Sequence, residues 1–189
     1  PAPPGAAPPP PWPAPTSPPA NTPLADPAKA TPRRSVLLVD CSGSMAQVTR
    51  TGDRRIDALR KVVDGLRETH PVPVVAFFGS NQIRICDEMI PEPQGGTPLA
   101  HGIRYSAGQG ATHIVLVTDG EPASTYDAYA AAAEMGGPVD PFYVGDPRGY
   151  GEEFCRELAA RTGGVAHLSD LGKPKELETK IAGLLGDGL

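Results

Sequence analysis

Cysteine is scarce in this 189-residue sequence, and long apolar segments are missing. The three cysteines, Cys41, Cys86 and Cys155, are odd in number and widely separated, which favours free thiols and indicates a cytoplasmic location. No run approaches the 18 apolar residues of a transmembrane helix, and the N-terminus lacks the features of a signal peptide, so we expect no membrane contact. The chain begins with Pro1 rather than Met, so we expect a fragment or a processed product, with an upstream signal or anchor left open.

Positive charge is also in short supply. The chain has 17 Lys and Arg against 22 Asp and Glu, which gives a net charge of −5 and a pI near 5.3. Domains that bind nucleic acid usually carry a basic stripe, so nucleic acid is not expected as the main partner. Only five of the basic residues are lysines, and the richness in Ala, Gly, Pro and Arg is typical of a GC-rich bacterial genome.

Several catalytic signatures are missing as well. There is no G-x-x-x-x-G-K-[ST] phosphate loop, and residues 42–46 do not form a G-x-S-x-G nucleophile elbow. The four histidines, His70, His101, His113 and His167, do not show H-E-x-x-H spacing. The sequence therefore carries no signature of a P-loop NTPase, an α/β-hydrolase or a zinc protease of that kind.

Proline is abundant, but unevenly placed. Fourteen of the 24 prolines fall within residues 1–32, which contain few bulky apolar residues. Such a segment cannot bury enough surface to offset its ordering entropy, so residues 1–33 are predicted to be a disordered or polyproline-II linker. The run at residues 8–13 also suits docking in an aromatic groove, but a spacer is favoured because no basic residue flanks it. Residues 34–189 are long enough to bury roughly 70% of their unfolded surface in one domain.

The domain begins with an apolar strand that ends in a carboxylate. Residues 36–39 are typical of a strand buried on both faces, and Asp40 follows them. Ligands of open α/β sheets bind at the carboxyl ends of strands, where Asp40 is expected to lie. Ser42 and Ser44 come next, with Gly43 allowing a tight turn between them. A carboxylate and two hydroxyls are hard oxygen donors, which suit Mg²⁺, Ca²⁺ or Mn²⁺ better than a soft metal.

Two later segments offer more oxygen donors of this kind. Residues 114–118 repeat the pattern of an apolar strand followed by an aspartate, here Asp119. Two glycines precede Thr97 and would bring its loop close to a ligand. Thr97 also fits a helix N-cap with Pro98 at the first helical position, and both interpretations stay open.

The set Asp-x-Ser-x-Ser, followed by a Thr and then an Asp, resembles the metal-ion-dependent adhesion site of von Willebrand factor A domains of the bacterial type. The resemblance runs from about Arg34 to the end of the chain, and its five positions are Asp40, Ser42, Ser44, Thr97 and Asp119. It implies that the three hydroxyls ligate a divalent ion directly or through water, while the two aspartates often act through water. It also implies that a partner protein supplies a Glu or Asp carboxylate to the ion.

Strands and helices alternate through the domain with short links, which predicts an α/β fold with a doubly wound, Rossmann-like, mostly parallel sheet and helices on both faces. The link at residues 79–81 is too short for parallel neighbours, so the third of the six strands is expected to be antiparallel. The strand order 3-2-1-4-5-6 follows from the resemblance. In that order Asp40 and Asp119 lie at adjacent strand ends, beside the switch point of the sheet.

Two predictions concern residues near these aspartates. Cys41 lies between two ligand positions and is expected to point away from them and to pack. In the helix that follows, Asp53 is predicted as the N-cap. Five basic residues are predicted to lie mainly on its solvated face: Arg54, Arg55, Arg60, Lys61 and Arg67.

Electrostatics favour a metal at the paired aspartates. Either Asp40 or Asp119 alone is explained as a cap or turn residue, but two carboxylates at adjacent strand ends repel unless a cation or a proton separates them. The first hypothesis is therefore a non-enzymatic, metal-dependent protein-binding module of the adhesion or adaptor kind. The resemblance implies that bacterial members often work beside a chaperone-like ATPase.

The alternative hypothesis is a Mg²⁺-dependent phosphoryl-transfer hydrolase, with the metal beside Asp40 clamping a phosphate. Two features of the sequence count against it. The residue two positions after Asp40 is Ser42, where many such sites have a second carboxylate, and the motif segments contain no lysine.

Overall fold

The computed structural model describes residues 33–147 and 149–186. Its strands are β1 (Ser35–Asp40), β2 (Val74–Phe78), β3 (Gln82–Ile85), β4 (His113–Thr118), β5 (Val139–Tyr143) and β6 (His167–Leu168). Its helices are α1 (Arg55–Thr69), α2 (Leu99–Gly108), α3 (Thr125–Met135), α4 (Tyr150–Thr162) and α5 (Pro174–Gly186), and a short 3-10 turn covers Gly43–Ala46. Apart from Arg33, the linker predicted from the proline content lies outside the described residues.

The six strands form one sheet in the order β3-β2-β1-β4-β5-β6. β3 is antiparallel to β2, and every other neighbouring pair is parallel. The predicted α/β fold, strand order and antiparallel third strand are confirmed. In the centre of the sheet, Val39 of β1 lies opposite Ala76 of β2 and Val117 of β4. The carboxyl ends of β1 and β4 therefore lie side by side.

Successive side chains of β1 enter two different apolar cores, because strand residues alternate between the faces of a sheet. Leu37 and Val39 pack with residues of α1 and α5. Leu38 packs on the other face with residues of α2, α3 and α4. The strand is thus buried on both sides, as its continuous apolar run predicts. Cys41 is a buried free thiol of the first core, which confirms that it packs rather than faces the motif oxygens.

Helices α3 and α1 begin in different ways. Ser124 caps α3, because its Oγ accepts a hydrogen bond from the Asp127 N–H at 3.2 Å. The prediction that Asp53 caps α1 is wrong: the helix begins at Arg55, and Asp53 forms an ion pair with Lys61 at 2.6 Å. Across the described part of the chain, no helix combines the length and apolar character needed to cross a bilayer.

Candidate metal centre

Asp40 is the last residue of β1 and is fully buried at the carboxyl edge of the sheet. Its Oδ1 accepts a hydrogen bond from the Ser42 N–H at 2.8 Å, and its Oδ2 accepts one from the Thr118 hydroxyl at 2.6 Å. The pKa of Asp40 is raised to about 6: burial is the largest cause, the Thr118 hydrogen bond opposes it, and the charge of Asp119 adds to it. A nearby cation would offset the cost of keeping this carboxylate ionised.

The serine turn after β1 links the two aspartates. Ser42 Oγ and Ser44 Oγ lie 3.1 Å apart across the 3-10 turn. Ser44 Oγ then donates a hydrogen bond to Asp119 Oδ1 at 2.7 Å. The structure therefore brings four of the five predicted site residues into one hydrogen-bonded group: Asp40, Ser42, Ser44 and Asp119. Thr118, which holds Asp40, is a member of this group that the sequence did not indicate.

Thr97 lies on a loop that backbone hydrogen bonds hold against the same group. The Gly43 N–H of the serine turn donates to Gly95 O at 2.9 Å, and the Ala123 N–H beyond β4 donates to Thr97 O at 2.9 Å. Gly95 has φ +64°, and a β-carbon there would lie 2.5 Å from Gly79 Cα, so this close approach of two chain segments requires glycine. The loop is thus fixed to the segments that follow both β1 and β4.

The helix-cap interpretation of Thr97 is wrong. Pro98 occupies the N-cap position of α2, and Thr97 lies one residue before it. Thr97 is instead a half-buried loop residue between the serine turn and the segment after β4. Its hydroxyl therefore does not cap α2, and its role as a metal ligand stays a prediction.

Arg55 belongs to this site, although its sequence pattern predicts a solvated position. Its side chain is only 10% exposed, whereas a solvated position was predicted. Its Nη1 donates to Asp119 Oδ2 at 2.7 Å, and its Nη2 donates to Asp146 Oδ1 at 3.3 Å. Its backbone N–H donates to Gln47 O at 2.8 Å, which fixes the start of α1 against the loop after the serine turn. The available signal was its place directly before Ile56, the first core residue of α1.

The oxygen donors that converge here suit a hard divalent cation. The predicted positions supply two carboxylates and three hydroxyls. Within residues 33–147 and 149–186, no group of three or more His, Cys, Asp or Glu side chains could hold a metal, so this site, with two carboxylates, would depend on hydroxyl ligands as well. Arg55 supplies part of the counter-charge, but of the two motif aspartates it contacts Asp119 and not Asp40, and the pKa of Asp40 stays raised by burial and by Asp119.

A second buried polar cluster lies at the opposite edge of the sheet. His113 begins β4, and its Nε2 lies 2.7 Å from Asp140 Oδ2 while its Nδ1 lies 2.8 Å from Ser35 Oγ. Asp140 Oδ1 accepts a hydrogen bond from the Val165 N–H at 2.6 Å. Arg33 Nη2 also lies 2.8 Å from His113 Nε2. These contacts join the amino ends of β1, β4 and β5.

Ser35, His113 and Asp140 are the residue types of a hydrolase triad, but they are held in a buried network that links three strands. A triad is recognised by the roles of its members, and the nucleophile must be accessible to substrate. Ser35 lies in the paired central strand rather than on an exposed turn, and His113 is fully buried with both ring nitrogens already in contact with protein groups. We therefore conclude that the cluster stabilises the fold rather than catalysing a reaction.

Replacing Asp140 by Ala is expected to destabilise the protein by about 2–3 kcal/mol at pH 7, because charged hydrogen bonds at a buried site are lost. Burial raises the pKa of Asp140, but His113, the Val165 N–H and Arg33 outweigh burial and leave it below its usual range. The contribution of a carboxylate with a lowered pKa is present above its unfolded-state pKa and is lost as the pH falls through its folded-state pKa.

Urea unfolding of Asp140→Ala and wild type between pH 7 and pH 2 measures this contribution. The difference between the two proteins should shrink toward the acid end of the series. Asp87→Ala, which removes an exposed carboxylate, is the control and should change stability by less than about 0.5 kcal/mol. A difference between wild type and Asp140→Ala that is independent of pH would contradict the ionic contribution.

The chain is similar to known proteins in structure but matches none of them in sequence family. No protein-family profile and no characterised protein sequence matches the chain. Among solved structures, the manganese-loaded TRAP protein of Plasmodium vivax is similar over 77% of this chain and 71% of its own, with a TM-score of 0.54 and 17% identity. Proximal thread matrix protein 1 of the mussel byssus is similar over 80% of this chain, with a TM-score of 0.57 and 13% identity. This chain spans only 45% of that mussel protein.

Identities of 13% and 17% show the fold alone. Together with the sheet order β3-β2-β1-β4-β5-β6, they support the doubly wound α/β fold that the resemblance to von Willebrand factor A domains implies. In such a sheet, the crevice between the carboxyl ends of β1 and β4 is the expected place for a ligand. The hydrogen-bonded group around Asp40 and Asp119 lies at these strand ends.

Proposed function

We propose that this chain is a metal-dependent protein-binding module of the adhesion or adaptor kind. The observation that carries the proposal is the group formed by Asp40, Ser42, Ser44 and Asp119 at the carboxyl edge of the sheet, with the Thr97 loop fixed beside it. A structural neighbour that was solved loaded with manganese lends support from the fold. These residues bind the ligand without turning it over, so the module is not an enzyme.

The residues that would hold the ion are the five motif positions: Asp40, Ser42, Ser44, Thr97 and Asp119. When bound, a divalent ion supplies a positive centre that attracts a carboxylate. Mg²⁺ is the expected ion, with Mn²⁺ or Ca²⁺ as substitutes, because all the donors are hard oxygens. The chain contributes rigidity: the buried Asp40 and the glycine-dependent contact of the Thr97 loop hold the donors in place.

The partner is proposed to be a protein that presents a Glu or Asp side chain to the ion. A chaperone-like ATPase system is the kind of partner that the bacterial resemblance suggests. The buried free thiols Cys41, Cys86 and Cys155 agree with the proposed cytoplasmic location. No observation on the described residues favours the alternative Mg²⁺-dependent hydrolase, because the only cationic side chain in contact with the site, Arg55, is already paired with carboxylates.

Divalent metal is expected to stabilise the fold by mass action. At about one hundred times the Kd, an ion that binds only the native state adds roughly 2.7 kcal/mol. Melting curves of the full chain in chelator and across a titration of Mg²⁺, Mn²⁺ and Ca²⁺ measure this effect. Thr97→Ala should weaken the response mildly, because it removes a neutral donor, and Asp119→Ala should weaken it strongly, because it removes a charged one.

Two outcomes would contradict the metal site. One is a melting curve that none of the three ions shifts. The other is an equal shift in wild type and in the double variant of Asp40 and Asp119. The partner is tested separately by affinity capture from a bacterial lysate: a specific partner should be retained with Mg²⁺, released by chelator, and absent when Asp40→Asn protein is the bait.

A further inference from the structure

Arg55 places a permanent positive charge inside the proposed metal centre. A guanidinium stays protonated at any pH at which the protein is folded. Its side chain is 10% exposed, so salt and water screen its charge only partly. It shares Asp119 with the serine turn, because its Nη1 binds Oδ2 while the Ser44 hydroxyl binds Oδ1. Any ion held by Asp119 therefore lies close to this guanidinium.

The charge balance of the site follows from these contacts. Asp40 and Asp119 carry at most two negative charges, and Arg55 carries one positive charge. A divalent ion therefore brings the buried group to a net charge of at least +1. Asp146 also contacts the guanidinium, but its side chain is 90% exposed, so its charge is largely screened. A carboxylate that reaches the ion from outside returns the group to about neutral.

We propose that Arg55 is a resident counter-cation that weakens the binding of a free divalent ion and thereby couples tight metal binding to the arrival of a carboxylate. The inference rests on the proposed metal-dependent function and states how the same site is regulated. Metal and carboxylate then bind with positive cooperativity, and each raises the affinity of the other by the same factor. An isolated ion occupies the site poorly, and the ion with its partner occupies it well.

A purely structural ion pair between Arg55 and Asp119 would behave differently. Such a pair only fastens α1 to the end of β4, so its loss would leave the affinity for metal unchanged. Under the proposal, the loss of Arg55 leaves Asp119 buried without its cation, and a divalent ion restores the missing charge. The metal affinity of the variant, rather than its stability, separates the two roles.

Isothermal titration of the full chain with Mn²⁺ tests the proposal. Arg55→Met is expected to bind Mn²⁺ about tenfold more tightly than wild type, a change equivalent to about 1.4 kcal/mol. Arg55→Lys keeps the charge and should bind Mn²⁺ close to the wild-type affinity. Arg50→Met is the matched control: Arg50 lines the same groove as Arg55 but is exposed, so its loss should change the affinity by less than about twofold.

The coupling to a carboxylate is measured by repeating the titrations with acetate in place of chloride at equal ionic strength. Acetate is the probe for the partner's carboxylate. The Mn²⁺ affinity of wild type should rise more in acetate than that of Arg55→Met, because only wild type carries the excess positive charge that the anion cancels. Equal gains in the two proteins would overturn the coupling.

The outcomes separate this inference from the proposed function. If wild type binds no Mn²⁺, the proposed function fails. If wild type binds Mn²⁺ and folded Arg55→Met binds it no more tightly, only the role of Arg55 fails. If Arg55→Met unfolds in chelator, the titrations of both proteins are repeated in an osmolyte that keeps the variant folded, and an Arg55→Met affinity for Mn²⁺ no higher than that of wild type overturns the proposal.

Discussion

The Asp40→Asn protein is expected to be more stable than wild type in chelator at pH 7, by up to about 3 kcal/mol. The pKa of Asp40 is raised from its ordinary value of 3.8 to about 6, chiefly by burial and further by the charge of Asp119. The folded protein therefore bears the cost of an ionised carboxylate that the unfolded chain does not. The amide has nearly the same shape and no charge, so it removes that cost.

The amide also fits the hydrogen bonds around position 40. Its oxygen accepts the Ser42 N–H, as Asp40 Oδ1 does in wild type. Its NH₂ group then faces Thr118 Oγ1, which accepts a hydrogen bond once the Thr118 hydroxyl turns toward Gly120 O, 3.4 Å away. The amide oxygen and one amide N–H thus keep a partner, while the second N–H gains none from these contacts and offsets part of the electrostatic gain.

The advantage of Asp40→Asn depends on pH with a definite sign. A carboxyl group with a raised folded-state pKa binds its proton more tightly in the folded protein, so wild type loses stability relative to the variant between about pH 4 and pH 6. The advantage is expected to be small near pH 4 and complete above about pH 7. Saturating Mn²⁺ should reverse the order, because wild type gains more from the ion.

Urea unfolding at several pH values, in chelator and in Mn²⁺, measures these differences. Asp127→Asn, an exposed aspartate of α3, is the control and should stay within about 0.5 kcal/mol of wild type. If Asp40 only capped a turn, Asn would be neutral or destabilising in chelator. An undiminished Mn²⁺-induced rise in the melting temperature of Asp40→Asn would mean that any ion binds elsewhere.

The parts of the site that sequence could predict are those with a local signature. The apolar run of β1 ends at Asp40, and the same pattern recurs at Asp119, so both residues are placed at strand ends by their own neighbours. The resemblance then supplied the strand order that makes β1 and β4 adjacent, and the structure has that order. The glycines before Thr97 predicted a close approach to a ligand, which stays a prediction; what the structure shows is a close approach of Gly95 to Gly79 of a neighbouring segment.

The parts that could not be predicted depend on contacts between distant segments. Arg55 is 64 residues from Asp119, and apart from its place directly before Ile56 nothing in α1 separates it from the more exposed Arg54 and Arg60. The clamp of Ser35, His113 and Asp140 likewise requires the amino ends of three strands to meet. Histidine spacing along the chain does not reveal such a cluster, because it is formed by strand order.

The buried position of Arg55 changes the charge balance around the paired aspartates. Considered alone, Asp40 and Asp119 are two like charges that call for a cation. Arg55 is already the cation paired with Asp119. Asp40 is the carboxylate of the pair that no cation among the described residues contacts, and its pKa is raised. Asp40 is therefore the residue whose charge favours a metal. Asp119 accepts hydrogen bonds from both Arg55 and Ser44.

Asp119→Ala is expected to destabilise the metal-free protein by about 3–5 kcal/mol, because it leaves the buried guanidinium of Arg55 without its main partner. The contact with Asp146 at 3.3 Å is exposed and longer, so it compensates for little of the loss. The Ser44 hydroxyl also loses its acceptor at Asp119 Oδ1. Added metal should not rescue this variant, since the substitution removes a proposed ligand as well.

A double-mutant cycle in urea, with chelator present, isolates the pair. Arg55→Met should also be destabilising alone, but the double variant Arg55→Met/Asp119→Ala should be more stable than the sum of the single losses predicts, by about 1–3 kcal/mol. The gain arises because removing both charges leaves neither one buried alone. Asp146→Ala, which breaks only the exposed contact, should cost less than about 1 kcal/mol. Additive losses in the cycle would mean that the guanidinium finds solvent or another carboxylate in Asp119→Ala, and that the two charges are not coupled in the folded protein.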